Sequence, residues 1–244
     1  MSLASSTSAE RQLPVIPTHI AVFAIMGNLG IGAAAIAVTA AFMLLPGSAL
    51  PAIHDPRYLF NVAMTANLMG YPASVLWTLW IVTRHASLAD LGFRRPGSKD
   101  VKTAVVAIAG LLIATTLAEQ FVHLFIKGPL QPDLLGKDPT AGTIIAVLLL
   151  ATILAPFSEE LIFRVLIFNA ARRWQSAGWA AITSGLIFAV WHFEPNALLP
   201  LAVAGIILGL VYAQTRNAFV SMICHASLNT VAVATMLLDL RGHA

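Results

Sequence analysis

The chain has 244 residues, 58% hydrophobic and only 10% charged, with a formal net charge of +3 and a mean hydropathy of +0.82. An average soluble domain carries about 25% charged residues, so this chain lacks the polar side chains to cover a water-facing globule, and its composition predicts an integral membrane protein. A bilayer core about 30 Å thick takes about 20 apolar residues per helix, which leaves no room for a separate soluble domain. Cys224 is the single cysteine, which excludes an internal disulfide and a cysteine zinc cluster, and no surface pattern suggests nucleic acid as a partner.

Residues 1–17 read as a polar N-terminal tail, and residues 18–244 as one membrane-embedded domain. Apolar runs are expected to span at about Ile20–Leu45, Leu59–Val82 and Thr103–Ile126. Four more are expected at about Ala141–Ala170, Trp179–Phe193, Ala197–Gln214 and Ala218–Leu238, with the chemistry-bearing region at 141–238. The fold class is therefore all-α, a polytopic transmembrane bundle of about seven spans. Pro46-Gly47 and the stretch Pro51–Arg57 read as a turn-rich connection, and Lys127–Pro139 as a proline-rich loop. Arg84, Arg94, Arg95, Lys99 and Lys102 fall in one loop, with Arg172, Arg173 and Arg216 in later turns on the same side. The excess of basic residues on that side makes it, and the N-terminus, cytoplasmic, which suits a bacterial plasma membrane.

Charged side chains at mid-membrane cost about 2.5–3.5 kcal/mol each on insertion scales, so they pair or perform a function. The fourth span carries Ser158, Glu159, Glu160 and Arg164. Glu160 and Arg164 are four apart and stack on one helix face. Glu159 lies about 100° around the helix, so the spacing suggests a structural Glu160–Arg164 pair and a Glu159 that faces a cavity. The fifth span ends with Phe188 and His192, and the seventh carries His225 and Asn229, again four apart. Counted at about 1.5 Å per residue from the basic turns, Glu159, His192, His225 and Asn229 can share one layer of the bundle. Glu119 and His123, in the third span, read as an interfacial pair, with pocket lining as the alternative. Gly205 and Gly209 give a helix-packing signal.

Glu159-Glu160-x-x-x-Arg164, Phe188-x-x-x-His192 and His225-x-x-x-Asn229 resemble, in order, the three motifs of the CAAX protease and bacteriocin-processing (CPBP) intramembrane proteases. That family includes the Ras-converting CAAX endopeptidase. Leu91-Gly92-Phe93-Arg94-Arg95-Pro96 and the run from Gly205 to Arg216 also look similar, and Val165 departs from the glycine that many members have after the arginine. The resemblance implies an endopeptidase that cuts a hydrophobic or lipid-modified, membrane-associated protein or peptide. Glu159 and His192 would activate water, His225 and Asn229 would stabilise the oxyanion, and Glu160 and Arg164 would support the site. It leaves two options for a cofactor: none, or a divalent metal such as zinc on Glu159, His192 and His225, a known catalytic ligand combination.

Two other functions compete. Intramembrane acids and histidines also build proton relays, as in a proton-coupled transporter, although no repeat symmetry is visible here. A catalytically silent scaffold or immunity protein could keep the same bundle. It would have no chemical need for all four polar groups.

Overall fold

The computed structural model describes residues 16–43, 56–130, 135 and 139–242. Most of the expected tail, of the Pro46–Arg57 connection and of the stretch 131–138 lies outside the described residues. Seven helical rods follow one another: α1 (Thr18–Met43), α2 (Pro56–Val82), α3 (Ser98–His123), α4 (Ala141–Ala171), α5 (Ala177–Trp191), α6 (Leu198–Thr215) and α7 (Ala218–Gly242). No strand occurs among the described residues. Five of the rods, α1, α3, α4, α6 with its leading turn, and α7, are long and apolar enough to cross a bilayer. The chain is thus an all-α membrane bundle. Helix α2 is as long as the others but carries Asn67, Tyr71 and Pro72 in its middle. Helix α5, at 15 residues, reaches only about 22 Å.

Local chemistry sets several of the boundaries. The Thr140 hydroxyl accepts the Thr143 N–H at 3.1 Å and starts α4, and Ser176 caps α5 by accepting from Trp179; both are ordinary N-cap devices. The Asp100 carboxylate takes the Gly97 N–H at 2.8 Å where α3 begins.

Packing is closest between α5 and α6. A Cβ on Gly185 would lie 2.5 Å from the Ile206 nitrogen, one on Gly205 2.8 Å from the Gly185 backbone, and one on Gly209 3.0 Å from Ala181. Without side chains at those points the two backbones touch, which is how small residues associate helices where lipid offers no hydrophobic contrast.

The helix ends that carry the basic turns meet in one apolar cluster containing Ile16, Val82, Leu91, Phe168, Ala180, Tyr212 and Ala218. The loop before α3 is tied down there. Gly92 sits at φ +91°, a conformation open to glycine, and its carbonyl accepts the Ala218 N–H at 2.9 Å. The Tyr212 hydroxyl donates to the Leu91 carbonyl at 3.0 Å. Arg94 donates to the Thr215 carbonyl at 2.6 Å and pairs with Asp100 at 2.7 Å. The loop whose charges the sequence reading used for orientation is a clasp across the α6–α7 turn.

Candidate active site

The site is built on an irregularity in α4. Leu150–Leu154 and Leu161–Phe168 are wound as π-helix, with Ala155–Glu160 in α form between them. Pro156 accounts for the first π turn, because proline has no N–H to give. The Ala155 N–H reaches back five residues to Leu150, and Pro156 leaves the Ala151 carbonyl without its helical donor. Asn229 Nδ2 fills that place at 2.9 Å. One amide proton of Asn229 is thereby held, and the second stays available.

Glu159 and Glu160 point to different partners. Glu160 is fully buried. Its Oε2 pairs with Arg164 Nε at 3.0 Å and accepts the Ser221 hydroxyl, while Oε1 faces His225 Nδ1 at 3.0 Å. Arg164, also fully buried, donates to Ser184 at 3.3 Å and lies 5.2 Å over the Phe188 ring. Glu159 accepts the Tyr71 hydroxyl on Oε1 at 3.2 Å. Its Oε2 lies 3.8 Å from His192 Nε2 and 3.7 Å from His225 Nε2. Those two spacings exceed a direct hydrogen bond and suit a water seated to one side and bonded to both groups.

The histidine tautomers follow from their other partners. His192 Nδ1 lies 2.7 Å from the Phe188 carbonyl. A carbonyl only accepts, so Nδ1 carries a proton, and in the neutral ring Nε2 then presents a lone pair toward Glu159. His225 Nδ1 donates to the Glu160 carboxylate in the same way. Helix α5 stops at Trp191, short of the expected Phe193, and Phe193 turns the chain at φ +55°. That is an uncommon conformation for a bulky residue, and it stands directly beside His192.

Two cavities meet at Glu159, His192, Asn229 and Leu201. One, about 190 Å³, runs along Thr115, Glu119, Ala204 and Leu228. The other, about 370 Å³, is walled by Ala63, Asn67, Tyr71 and Val147. The structure brings all six sequence-selected residues into this one region. It also puts Glu119 on a cavity wall, while His123 turns to the Ile126 carbonyl at 3.2 Å.

Residues 141–231, which contain all six, match the family model described as type II CAAX prenyl endopeptidase Rce1-like. The match takes in 91 of the 244 residues and places the likeness to that family in the second half of the chain. The protein YdiL of Bacillus subtilis (strain 168), named as a candidate membrane peptidase, is 27% identical to this chain over 147 residues. That alignment covers 55% of this chain and 60% of YdiL. No solved structure matches the chain.

Zinc bound tetrahedrally with arms of about 2.0–2.1 Å would hold neighbouring donor atoms about 3.4 Å apart. Here the Glu159 oxygen stands 3.7 and 3.8 Å from the two imidazole nitrogens. Among the described residues no group of three His, Cys, Asp or Glu side chains is arranged to hold a metal ion. The donors do not fit a zinc shell as they stand.

Sequence reasoning missed three polar partners: Tyr71, Ser184 and Ser221. Ser221 is four residues before His225 and shares its face, a signal available in the sequence. Tyr71 directly precedes a proline inside a span, which marks it. Nothing in the sequence links it to Glu159, 88 residues away.

Proposed function

We propose that the chain is an intramembrane endopeptidase that hydrolyses a peptide bond in a membrane-associated protein, with Glu159 as general base. In this reading a water donates one proton to His192 Nε2 and the other to Glu159 Oε2 in hydrogen bonds. Glu159 takes its proton as the water oxygen bonds to the scissile carbonyl carbon. The carbonyl oxygen becomes an oxyanion, held by the second amide proton of Asn229 and by His225 Nε2–H. His225 donates from Nε2 only as imidazolium, because its Nδ1 proton is already given to Glu160. The Glu160 carboxylate stands ready to offset that charge. As the intermediate collapses the C–N bond breaks, and the proton held by Glu159 passes to the leaving amine. Glu160 and Arg164 support His225 from behind.

The observation that carries this reading is a single carboxylate oxygen, Glu159 Oε2, facing two imidazole Nε2 atoms at 3.7 and 3.8 Å where two cavities meet. The description of the matched family model supports a prenylated or otherwise lipid-modified substrate, and the largely apolar walls suit one. We further propose a cytoplasmic N-terminus and a bacterial plasma membrane, supported by the gathering of basic turns at one end of the bundle.

The test compares new protein termini in membranes of cells expressing wild type or Glu159→Gln. Termini that need Glu159 are expected, and they name the substrate. Identical profiles from equally expressed, inserted proteins would overturn the reading in favour of a scaffold or a transporter.

A further inference from the structure

We infer that Tyr71 is a positioning residue for this reaction, its hydroxyl holding one oxygen of Glu159 so that the other faces the two histidines. The inference rests on the peptidase reading of the site. Glu160 has three donors around it, from Arg164, Ser221 and His225. Glu159, by contrast, has one direct hydrogen-bond donor among the described residues, the Tyr71 hydroxyl at 3.2 Å. A carboxylate on a rotatable bond can present either oxygen in any plane. With Oε1 anchored, Oε2 lies 3.8 and 3.7 Å from the His192 and His225 Nε2 atoms.

The anchor comes from outside the motif helices. Tyr71 belongs to α2, and Asn67, one helical turn before it, lines the same wall of the larger cavity. Pro72 follows immediately. It removes the N–H that would bond the Leu68 carbonyl. A phenol also remains protonated at neutral pH, so it stays a donor to the carboxylate before and after each turnover. It neither gains nor loses a proton in the proposed steps, and its contribution is orientation.

The experiment uses the full-length chain in lipid nanodiscs. The kinetic substrate is a peptide spanning the cleavage site mapped by the terminus comparison. Tyr71→Phe keeps the ring and the cavity wall and removes only the hydroxyl. A misplacement of the order of 1 Å can cost about 100-fold in rate, so kcat is expected to fall about 10- to 100-fold with KM changed less than about twofold. A second readout needs no substrate: isotope-edited infrared spectra, in which the Glu159 band is the one lost in Glu159→Gln, should show that band displaced in Tyr71→Phe. Unchanged kcat with an unmoved band overturns the inference. So does a raised KM alone, which would make Tyr71 a wall contact, or lowered thermal stability with an unmoved band, which would make it a packing residue. Failure of the peptidase reading shows separately, as no difference in termini between wild type and Glu159→Gln, and the inference falls with it.

Discussion

Replacing Arg164 by Met would leave the aliphatic bulk of the side chain in place and strip the charge from the most buried ion pair described. Both partners are wholly excluded from solvent, with Nε and Oε2 3.0 Å apart, so solvent screening does not discount the loss. Breaking one side of such a pair costs about 3–5 kcal/mol, because the surviving carboxylate is left buried without its cation. Ser184 also loses its 3.3 Å donor. For a chain of this size each kcal/mol moves the midpoint by about 2–4 °C, so the variant should melt about 6–20 °C below wild type. The protein carries its own reporter. Cys224 is the only cysteine and is fully buried, so labelling by a thiol-reactive fluorophore during heating in detergent follows unfolding directly. Glu160→Gln added to Arg164→Met removes the stranded charge and keeps groups that can bond Ser221 and His225. The double variant should recover most of the loss. An Arg164→Met midpoint within 2 °C of wild type, or a double variant less stable than the single, would refute the argument.

Two further outcomes use the same melting assay. Gly185→Ala should lower stability by about 1–3 kcal/mol, because its Cβ would stand 2.5 Å from the Ile206 nitrogen and backbone cannot step aside; a neutral result would mean that α5 and α6 are not held at contact. At the clasp, Gly92→Ala should cost more than Arg94→Ala. The alanine would combine φ +91° with a Cβ 3.0 Å from Ala218 N and Arg216 O, whereas the Arg94 pair is 43% exposed on the arginine side and is worth about 1 kcal/mol or less. The reverse order would show that charge, not backbone fit, closes the loop.

Spacing made much of the site legible. Residues four apart on a helix share a face, which is why Glu160 and Arg164 could be paired, and His225 and Asn229 aligned, from the sequence alone. Counting from the basic turns brought four residues from three helices to a common depth. What stayed hidden has a physical pattern. Tyr71 reaches Glu159 across 88 residues of chain, and a hydrogen bond between two spans leaves no periodic trace in either. The Gly92–Ala218 contact joins main chain to main chain, so only the glycine hints at it. Pro156 was visible, but its effect depends on where the freed Ala151 carbonyl finds a donor, and that donor lies on α7. The end of α5 was misjudged by two residues, because hydropathy continues through Phe193 while the backbone has already turned left-handed there.

The partners of α4 also impose an order on biogenesis. A nascent chain emerges from its N-terminus, so α4 enters the bilayer with two carboxylates, one arginine and a carbonyl that its own proline has deprived of a donor. Ser221, His225 and Asn229, which complete that set, lie 61, 65 and 78 residues further along from Glu160, Glu160 and Ala151. Until α7 is made, α4 holds polar groups that hydrocarbon cannot satisfy. Arrival of α7 therefore completes the site and ends the most unfavourable stage of insertion in the same event, and a chain truncated before Ser221 would leave those groups exposed to quality control.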